Sequence, residues 1–264
     1  MIPKVIHYCW FGRNPKSELI QNCIRSWREQ CPDYHIVEWN EENWDIDAYP
    51  YAREAYDAGK WAFVSDVARL DILYRCGGIY LDTDVELKEP LDCWLKYGAF
   101  YAFESELNIA TGLGFGAEKD HKSVAQMLKV YANQHFIVDG KQMLMPCPKG
   151  NTEALIDVFP ELTRNGRTQY IGDVAVLSCG DYFKYAKHYG TASWSEGPQK
   201  KKREYKDTKL KRFLRTPEKF AFVKRNFGEK GFKIYTFLSY DLLEFGVWNY
   251  VRRILWKITQ KNSK

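Results

Sequence analysis

Two carboxylates one residue apart, Asp82 and Asp84, are the residues of this sequence best placed to do chemistry. They end the octapeptide at residues 77–84, which reads Gly-Gly-Ile-Tyr-Leu-Asp-Thr-Asp. Because side chains alternate along an extended chain, we expect both carboxylates on the same side, a few ångströms apart. Like charges that close repel each other, and a hard divalent cation with oxygen ligands would relieve the repulsion. Such an ion keeps coordination positions open for a diphosphate, which indicates a nucleotide-sugar site.

The octapeptide alone leaves two other interpretations open. Turns that follow strands are rich in Asp, so the motif is also typical of a plain surface turn. Phosphatases of the haloacid dehalogenase type also place Asp-x-Asp after an apolar strand. In those enzymes the pattern continues to Thr or Val and lies on the first strand, whereas this chain has Glu86 at that position and a long preceding segment.

The charge distribution predicts two regions in a chain of 264 residues with a net charge of +5. The segment after Pro198 contains 19 Lys and Arg against 6 Asp and Glu, a net charge of +13, which leaves −8 for residues 1–198. A nucleic-acid-binding protein would be basic throughout, so we expect no nucleic-acid partner. We predict a catalytic domain at residues 1–197 and a basic, mainly helical region at residues 198–264.

The cysteines and the hydropathy pattern bear on location. Seven cysteines are scattered without a Cys-x-x-Cys motif, which favours reduced thiols in a cytosolic protein. The chain opens without a signal-like segment and contains no apolar run of about eighteen residues. We therefore expect a cytoplasmic protein that is neither exported nor membrane-spanning.

Hydrophobic periodicity predicts an α/β fold that brings the chemistry to one edge of a sheet. A strand ending at Cys9, a helix beginning at Ser17 and a second strand form a parallel βαβ unit. Ligands gather at the carboxyl ends of parallel strands, where Trp10 and Asp82 lie. The Gly112-x-Gly114-x-Gly116 spacing predicts a strand whose backbone approaches another group closely. The predicted strands are 3–9, 35–39, 79–81, 99–104, 112–117 and 174–177, and the predicted helices are 17–30, 63–76 and 121–133.

Four separated segments together carry a resemblance to a known family. They are the opening run at residues 2–12, the Ser-Asp-Val-Ala-Arg-Leu segment at 65–70, the 77–84 octapeptide, and His-Tyr-Gly-Thr-Ala-Ser-Trp at 188–194. In this order they resemble glycosyltransferase family 32, named for the yeast initiating α-1,6-mannosyltransferase, and in particular its bacterial capsule members. The glucosylating domains of the large clostridial toxins are distantly similar. This chain departs from the family pattern at Tyr189 and Ala192.

The resemblance implies a GT-A fold and a retaining hexose transfer from a nucleotide sugar, with UDP favoured over GDP and Mn²⁺ or Mg²⁺ required. Asp84 would bind the metal directly, Asp82 would reach it through water, and His188 would be a third ligand. The resemblance assigns the donor to the remaining site residues. Trp10 would stack on the base, Asp66 and Arg69 would hold the sugar and diphosphate, Tyr80 would pack beside the donor, and Ser193 and Trp194 would close over the diphosphate.

The acceptor and the basic region complete the functional hypothesis. We expect a saccharide or lipid-linked acceptor for a surface polysaccharide, and an anionic membrane surface as partner of the 200–203 Lys-Lys-Lys-Arg cluster. If a protein nucleophile is used, Glu104 and Asp120 are the carboxylates considered. The alternative from another functional class is a membrane-peripheral binding protein with a degenerate site.

Overall fold

The computed structural model describes residues 1–105, 107–143 and 147–191. The strands and helices alternate through most of this region, as the sequence predicts. The strands are β1 Val5–Cys9, β2 His35–Trp39, β3 Gly78–Tyr80, β4 Val85–Leu87, β5 Ala99–Ala102, β6 Phe115–Ala117, β7 Ile137–Val138, β8 Lys141–Gln142, β9 Gln169–Ile171, β10 Val174–Leu177 and β11 Ala186–His188. The helices are α1 Glu18–Gln30, α2 Pro50–Asp57, α3 Trp61–Cys76, α4 Lys122–Lys129, α5 Cys147–Val158 and α6 Cys179–Tyr182.

The central sheet has seven strands in the order β2-β1-β3-β6-β5-β10-β9. Strand β1 pairs in parallel with both β2 and β3, and β5 pairs in parallel with β10. Strands β6 and β9 run in the opposite direction to their neighbours. The predicted parallel βαβ start and the α/β, Rossmann-like class expected of a GT-A domain are therefore confirmed.

Both faces of the sheet are covered, and the strand residues alternate between two cores. Val174 and Val176 pack with α2, α3, α4 and α5 on one face, whereas Ala175 and Leu177 pack with α1 on the other. This alternation follows from the two-residue repeat of a strand. Helix α3 is apolar around most of its circumference because it is buried deeply, with Val64, Val67 and Ala68 at 0% exposure.

The Gly77-Gly78 pair fixes where the central strand β3 begins. Gly77 ends α3 with a φ of 67°, and its N–H donates to Leu73 O at 2.9 Å. A Cβ at Gly78 would lie 2.8 Å from Val5 O and 2.9 Å from the His7 ring, closer than packed atoms approach. The His7 Nε2 atom lies 2.9 Å from Gly77 O, so the tight turn is locked to β1.

The predicted ends of several elements differ from those observed. The 99–104 strand ends at Ala102, and the 112–117 strand is reduced to β6 because residues 111–113 form a turn. Helix α4 stops at Lys129, short of the predicted 133. The seven cysteines are free thiols, as predicted. None of the helices in the described segments is both long and apolar enough to cross a membrane. The predicted 198–264 region lies outside the described residues, and the boundary at 197 stays a prediction.

Candidate metal and donor site

Asp82 and Asp84 follow β3 in a tight turn and do not continue the strand. The Val85 N–H donates to Asp82 O at 3.0 Å, which closes a four-residue turn over residues 82–85. The sequence predicts the correct proximity for the wrong reason, because the extended alternation stops at Tyr80. Carboxylate oxygens of both residues nevertheless lie within 4.8 Å of each other.

A separate two-stranded ribbon delivers the third group. Strand β11 pairs antiparallel with β4, and His188 lies opposite Val85 in this register. The Tyr189 N–H then donates to Asp84 O at 3.0 Å, which extends the pairing beyond the ribbon. Strand β4, which directly follows the two carboxylates, therefore pairs with β11 and brings His188 next to them although it is distant in sequence.

Asp84 is the most firmly held of these groups. His188 Nε2 lies 3.1 Å from its Oδ1, while the Thr191 N–H and hydroxyl donate to its Oδ2 at 2.8 and 2.9 Å. Burial alone would raise the pKa of Asp84, but these hydrogen bonds outweigh it and lower the pKa to about 2. Burial alone would lower the pKa of His188, yet the bond to Asp84 raises it above the usual value. Sequence reasoning missed Thr191, which contributes through its backbone as well as its side chain.

The second half of the site is a row of alternating charges, formed by Asp66 and Arg69 of α3 and by Asp82 of the turn. Arg69 binds Asp66 at 3.1 Å and Asp82 at 3.2 Å, and its side chain is only 6% exposed. Asp66 and Arg69 are three residues apart on one helix face, as predicted. The Arg69 guanidinium lies 5.0 Å from the centre of the Tyr80 ring, whose hydroxyl donates to Asp82 Oδ1 at 3.1 Å. Tyr80 thus contacts Arg69 in the middle of the row and Asp82 at one end of it.

Burial sets the electrostatics of the two carboxylates in this row. It raises the pKa of Asp66 to about 6, although the Arg69 charge opposes the shift. It also raises the pKa of Asp82, helped by the like charge of Asp84 and opposed by Arg69. A cation brought beside Asp82 would stabilise its charged form.

The chemistry of these donors fits a divalent metal. One ligand atom each from Asp82, Asp84 and His188 fall within 4.8 Å of one another. Carboxylate oxygens and an imidazole nitrogen suit Mn²⁺ well, and the carboxylates also suit Mg²⁺. The imidazole proton and a metal ion would compete for the same nitrogen, so metal binding at this site would release a proton.

Gly112 shows how closely the surrounding backbone approaches the charges. A Cβ at this position would overlap Asp82 Oδ2 and would lie 3.1 Å from an Arg69 guanidinium nitrogen. The Asp82 N–H donates to Gly112 O at 3.2 Å, so this backbone also fixes the start of the turn. The close approach predicted from the glycine spacing is therefore present, and the site itself explains it.

The structure brings some of the other predicted residues to this edge and separates others from it. Trp10 directly follows β1 at the same edge, where its indole N–H donates to Asn14 O at 2.7 Å. Glu104 follows β5 there, and burial raises its pKa against the opposing charge of His188. Asp120 follows β6 at the opposite end of the sheet, since antiparallel pairing places Ala117 beside Gly78. Ser193 and Trp194 lie outside the described residues, and their donor-binding roles, like that of Trp10, stay predictions.

A comparison with protein families matches the region that carries this site. Residues 17–101 fit the model described as "Glycosyltransferase sugar-binding region containing DXD motif". The matched segment includes Asp66, Arg69, Asp82 and Asp84. Residues 17–101 belong to this glycosyltransferase family. The resemblance expected from the four sequence segments is confirmed.

Curated relatives of this glycosyltransferase region include two fungal proteins. The "Inositol phosphoceramide mannosyltransferase 3" of Schizosaccharomyces pombe is 33% identical over 48% of this chain and 36% of its own length. The "Mannosyl phosphorylinositol ceramide synthase SUR1" of Saccharomyces cerevisiae is 28% identical over 49% of this chain and 34% of its own. The matches thus span about a third of these relatives' length.

Among solved structures, the "PaToxG Glycosyltransferase" is similar with a TM-score of 0.46 and 19% identity. The match covers 61% of this chain and 71% of that one.

Proposed function

We propose that this glycosyltransferase-family chain is a metal-dependent, retaining hexosyltransferase that uses a nucleotide sugar, with UDP as the favoured nucleotide. The observation that carries the proposal is the convergence of Asp82, Asp84 and His188 beside the Asp66, Arg69 and Asp82 row. A plain turn after a strand would not need a buried arginine between two carboxylates. It would also not need a ribbon that brings a histidine to them from more than a hundred residues away.

Each half of the site has a separate task in this proposal. Asp84, Asp82 and His188 would hold Mn²⁺ or Mg²⁺, which when bound neutralises the charge that develops on a departing diphosphate. Arg69 lies between Asp82 and Asp66. Its permanently charged guanidinium would donate hydrogen bonds to the diphosphate. Asp66 is at the other end of this row and would accept hydrogen bonds from the hydroxyl groups of the donor sugar. Preorganised charges of this kind stabilise a leaving group without a covalent protein nucleophile.

We also propose that the acceptor is a saccharide or a lipid-linked oligosaccharide presented at an anionic membrane, with the enzyme in the cytoplasm. The names of the fungal relatives describe transfer of mannose to an inositol phosphoceramide, which is a lipid. The net positive charge of the 198–264 region would attract it to such a surface. Co-sedimentation with anionic and neutral vesicles at low and high salt tests this. A full chain that stays in the supernatant with anionic vesicles at low salt would contradict it.

A donor panel tests the catalytic proposal directly. Purified protein is incubated with UDP-sugars and GDP-sugars, including a mannosyl donor, with Mn²⁺ or with a chelator. We expect slow, metal-dependent release of nucleoside diphosphate from one donor class in the absence of acceptor. Release of inorganic phosphate instead would support a phosphatase of the haloacid dehalogenase type. Binding without turnover of any donor would support a binding protein with a degenerate site.

A further inference from the structure

The ribbon formed by β4 and β11 has two different faces. Val85 and Leu87 are buried on the inner face, with exposures of 0% and 2%, and His188 lies on this face opposite Val85. The side chains of Glu86 and Lys187 are cross-strand partners on the outer face and are 39% and 48% exposed. Residues alternate between the two faces because of the two-residue repeat of a strand. The outer-face side chains therefore point away from the His188 side chain.

The two strands of the ribbon are held to the rest of the domain in different ways. Strand β4 is bound to α1, because the indole N–H of Trp27 donates to Val85 O at 2.7 Å. Strand β11 is fixed at its start, where Tyr185 O accepts the Lys88 N–H at 2.7 Å. Its other end, which carries His188, bonds to β4 and to the turn before β4. The position of His188 therefore depends on what holds this end of β11.

A cluster of three side chains holds this end of β11 on the outer face. The Tyr189 hydroxyl donates to Glu86 Oε2 at 2.8 Å, and Lys187 Nζ lies 3.9 Å from the same oxygen. Lys187 Nζ also lies 4.0 Å from the centre of the Tyr189 ring, within the range of a cation–π contact. The residues on both sides of His188 are therefore bound to one carboxylate of β4.

The chain continues directly from this cluster into the metal site. The Tyr189 N–H donates to Asp84 O at 3.0 Å, and two residues later Thr191 binds Asp84 Oδ2 through its N–H and its hydroxyl. His188, one residue earlier, lies 3.1 Å from Asp84 Oδ1. Tyr189 therefore lies between the two residues that hold the Asp84 carboxylate, and its hydroxyl adds a side-chain bond from this segment to β4.

We infer that Tyr189 and Glu86, supported by Lys187, are positioning residues that hold the end of β11 so that His188 and Thr191 meet Asp84. The inference rests on the proposed function, because it concerns the same metal site. Groups that orient metal ligands without binding the metal change the metal affinity when they are lost. A segment that is fixed before the metal arrives also binds the metal with a smaller loss of conformational freedom.

The test measures binding of Mn²⁺ alone to the full chain by electron paramagnetic resonance titration. Tyr189→Phe removes only the hydroxyl and should weaken Mn²⁺ binding about three- to tenfold, which is the effect of one lost hydrogen bond. Glu86→Ala removes the acceptor and should give at least the same loss. Glu86→Gln keeps an acceptor oxygen without the charge and should keep most of the affinity. In a Glu86→Ala background, Tyr189→Phe should add nothing, because both changes remove the same bond.

A control variant and a second measurement separate this role from folding. Tyr56→Phe removes a similar tyrosine–glutamate bond in α2, 3.1 Å long, to Glu41, and should leave Mn²⁺ binding unchanged. In the metal-free chain, the Thr191 N–H should exchange with solvent about three- to tenfold faster in Tyr189→Phe than in the wild type, as measured by NMR. A general loss of stability would speed exchange throughout the domain, whereas the inference predicts a change confined to this segment.

Several results would overturn the inference. These are wild-type Mn²⁺ affinity or unchanged Thr191 exchange in Tyr189→Phe, an equal loss of affinity in Tyr56→Phe, equal losses in Glu86→Gln and Glu86→Ala, or a further loss when Tyr189→Phe is added to Glu86→Ala. If the wild-type chain itself binds no Mn²⁺, the proposed function fails and the inference fails with it. The wild-type titration therefore distinguishes the two failures.

Discussion

The two ends of the central sheet each contain a histidine beside an aspartate, with opposite physical results. At the carboxyl end, His188 lies 3.1 Å from Asp84 and has a side chain 28% exposed. At the amino end, His121 lies 3.5 Å from Asp173 and has a side chain 5% exposed. The pKa of His188 is raised by Asp84 against the effect of burial, whereas burial lowers the pKa of His121.

The difference shows that residue types alone do not make a site. His121 Nδ1 lies 2.6 Å from Ser123 Oγ, so this end of the sheet even assembles Ser, His and Asp. Ser123 is 0% exposed, however, and its hydroxyl lies 2.7 Å from Tyr101 Oη. The serine therefore cannot reach a substrate, and His121 serves as the N-cap of α4. The carboxyl end differs because a second carboxylate, Asp82, lies near its histidine and is itself bound by the buried Arg69 guanidinium.

The largest expected effect separates the two aspartates. Asp84→Asn keeps the shape of the side chain and removes a charged metal ligand, so donor turnover should fall more than about 100-fold. Asp173→Asn removes the equivalent charge at the other end and should leave turnover within about twofold. Steady-state release of nucleoside diphosphate measures both. Comparable losses of turnover in the two variants would show that the two ends of the sheet do not differ in their role in catalysis.

Gly112→Ala tests how tightly the carboxyl end is built. The added methyl group would displace Asp82 and press on Arg69, so kcat/KM should fall about 10- to 100-fold. Gly150→Ala is the matched control, because a Cβ there meets nothing within 4 Å. This control lies in α5, and it should keep full activity with a gain in stability of about 0.5–1 kcal/mol. An active Gly112→Ala enzyme would contradict the geometry described.

His121→Ala tests the opposite end and should affect the fold more than the chemistry. The substitution removes the α4 cap and leaves buried polar groups unpaired, so the free energy of unfolding should fall by about 1–3 kcal/mol. Donor kcat/KM should change little once the measurement is made well below the melting temperature. His188→Ala should give the reverse pattern. Denaturant unfolding measures the stability of both variants, and steady-state kinetics measure their donor kcat/KM. If both variants lost stability and activity to the same extent, the two histidines would not have the separate roles described.

The smallest effect is a difference in proton affinity between the two imidazoles. NMR titration of the metal-free chain should show His188 titrating above about pH 6.5 and His121 below it. A histidine whose pKa is lowered on folding contributes stability above its unfolded pKa of about 6.5, and that contribution is lost as the pH falls towards the folded value. Acidification should therefore destabilise the amino end. A His121 that titrates above His188 would invert the comparison.

The local pattern of the sequence predicts most of the fold and half of the site. Apolar periodicity identifies β1, α1, β2 and α3, and it places Asp66 and Arg69 on one helix face. The predicted strand end at Leu81, one residue beyond the observed end at Tyr80, places Asp82 at the correct edge. These results follow from short-range rules that a single segment contains.

The rest depends on contacts between distant segments, which periodicity does not encode. His188 reaches Asp84 through a ribbon of two three-residue strands, and only the family resemblance indicated it. Strands that short have no recognisable pattern of their own. Thr111 contacts Cys147 and Asn151 of α5, which are 36 and 40 residues away in sequence, and nothing in the spacing of these residues predicts the contacts. The close backbone approach at Gly112 was predicted, but its partner was not.

Direct measurement of Mn²⁺ binding tests the central claim, that the carboxyl end is a metal-dependent nucleotide-sugar site. Electron paramagnetic resonance titration in the presence of nucleoside diphosphate should show one bound ion per wild-type chain. Asp84→Asn should lose that ion and His188→Asn should weaken it about 10- to 100-fold, whereas Asp173→Asn should bind as the wild type does. No bound ion in the wild type, or equal binding in Asp84→Asn, would contradict the claim.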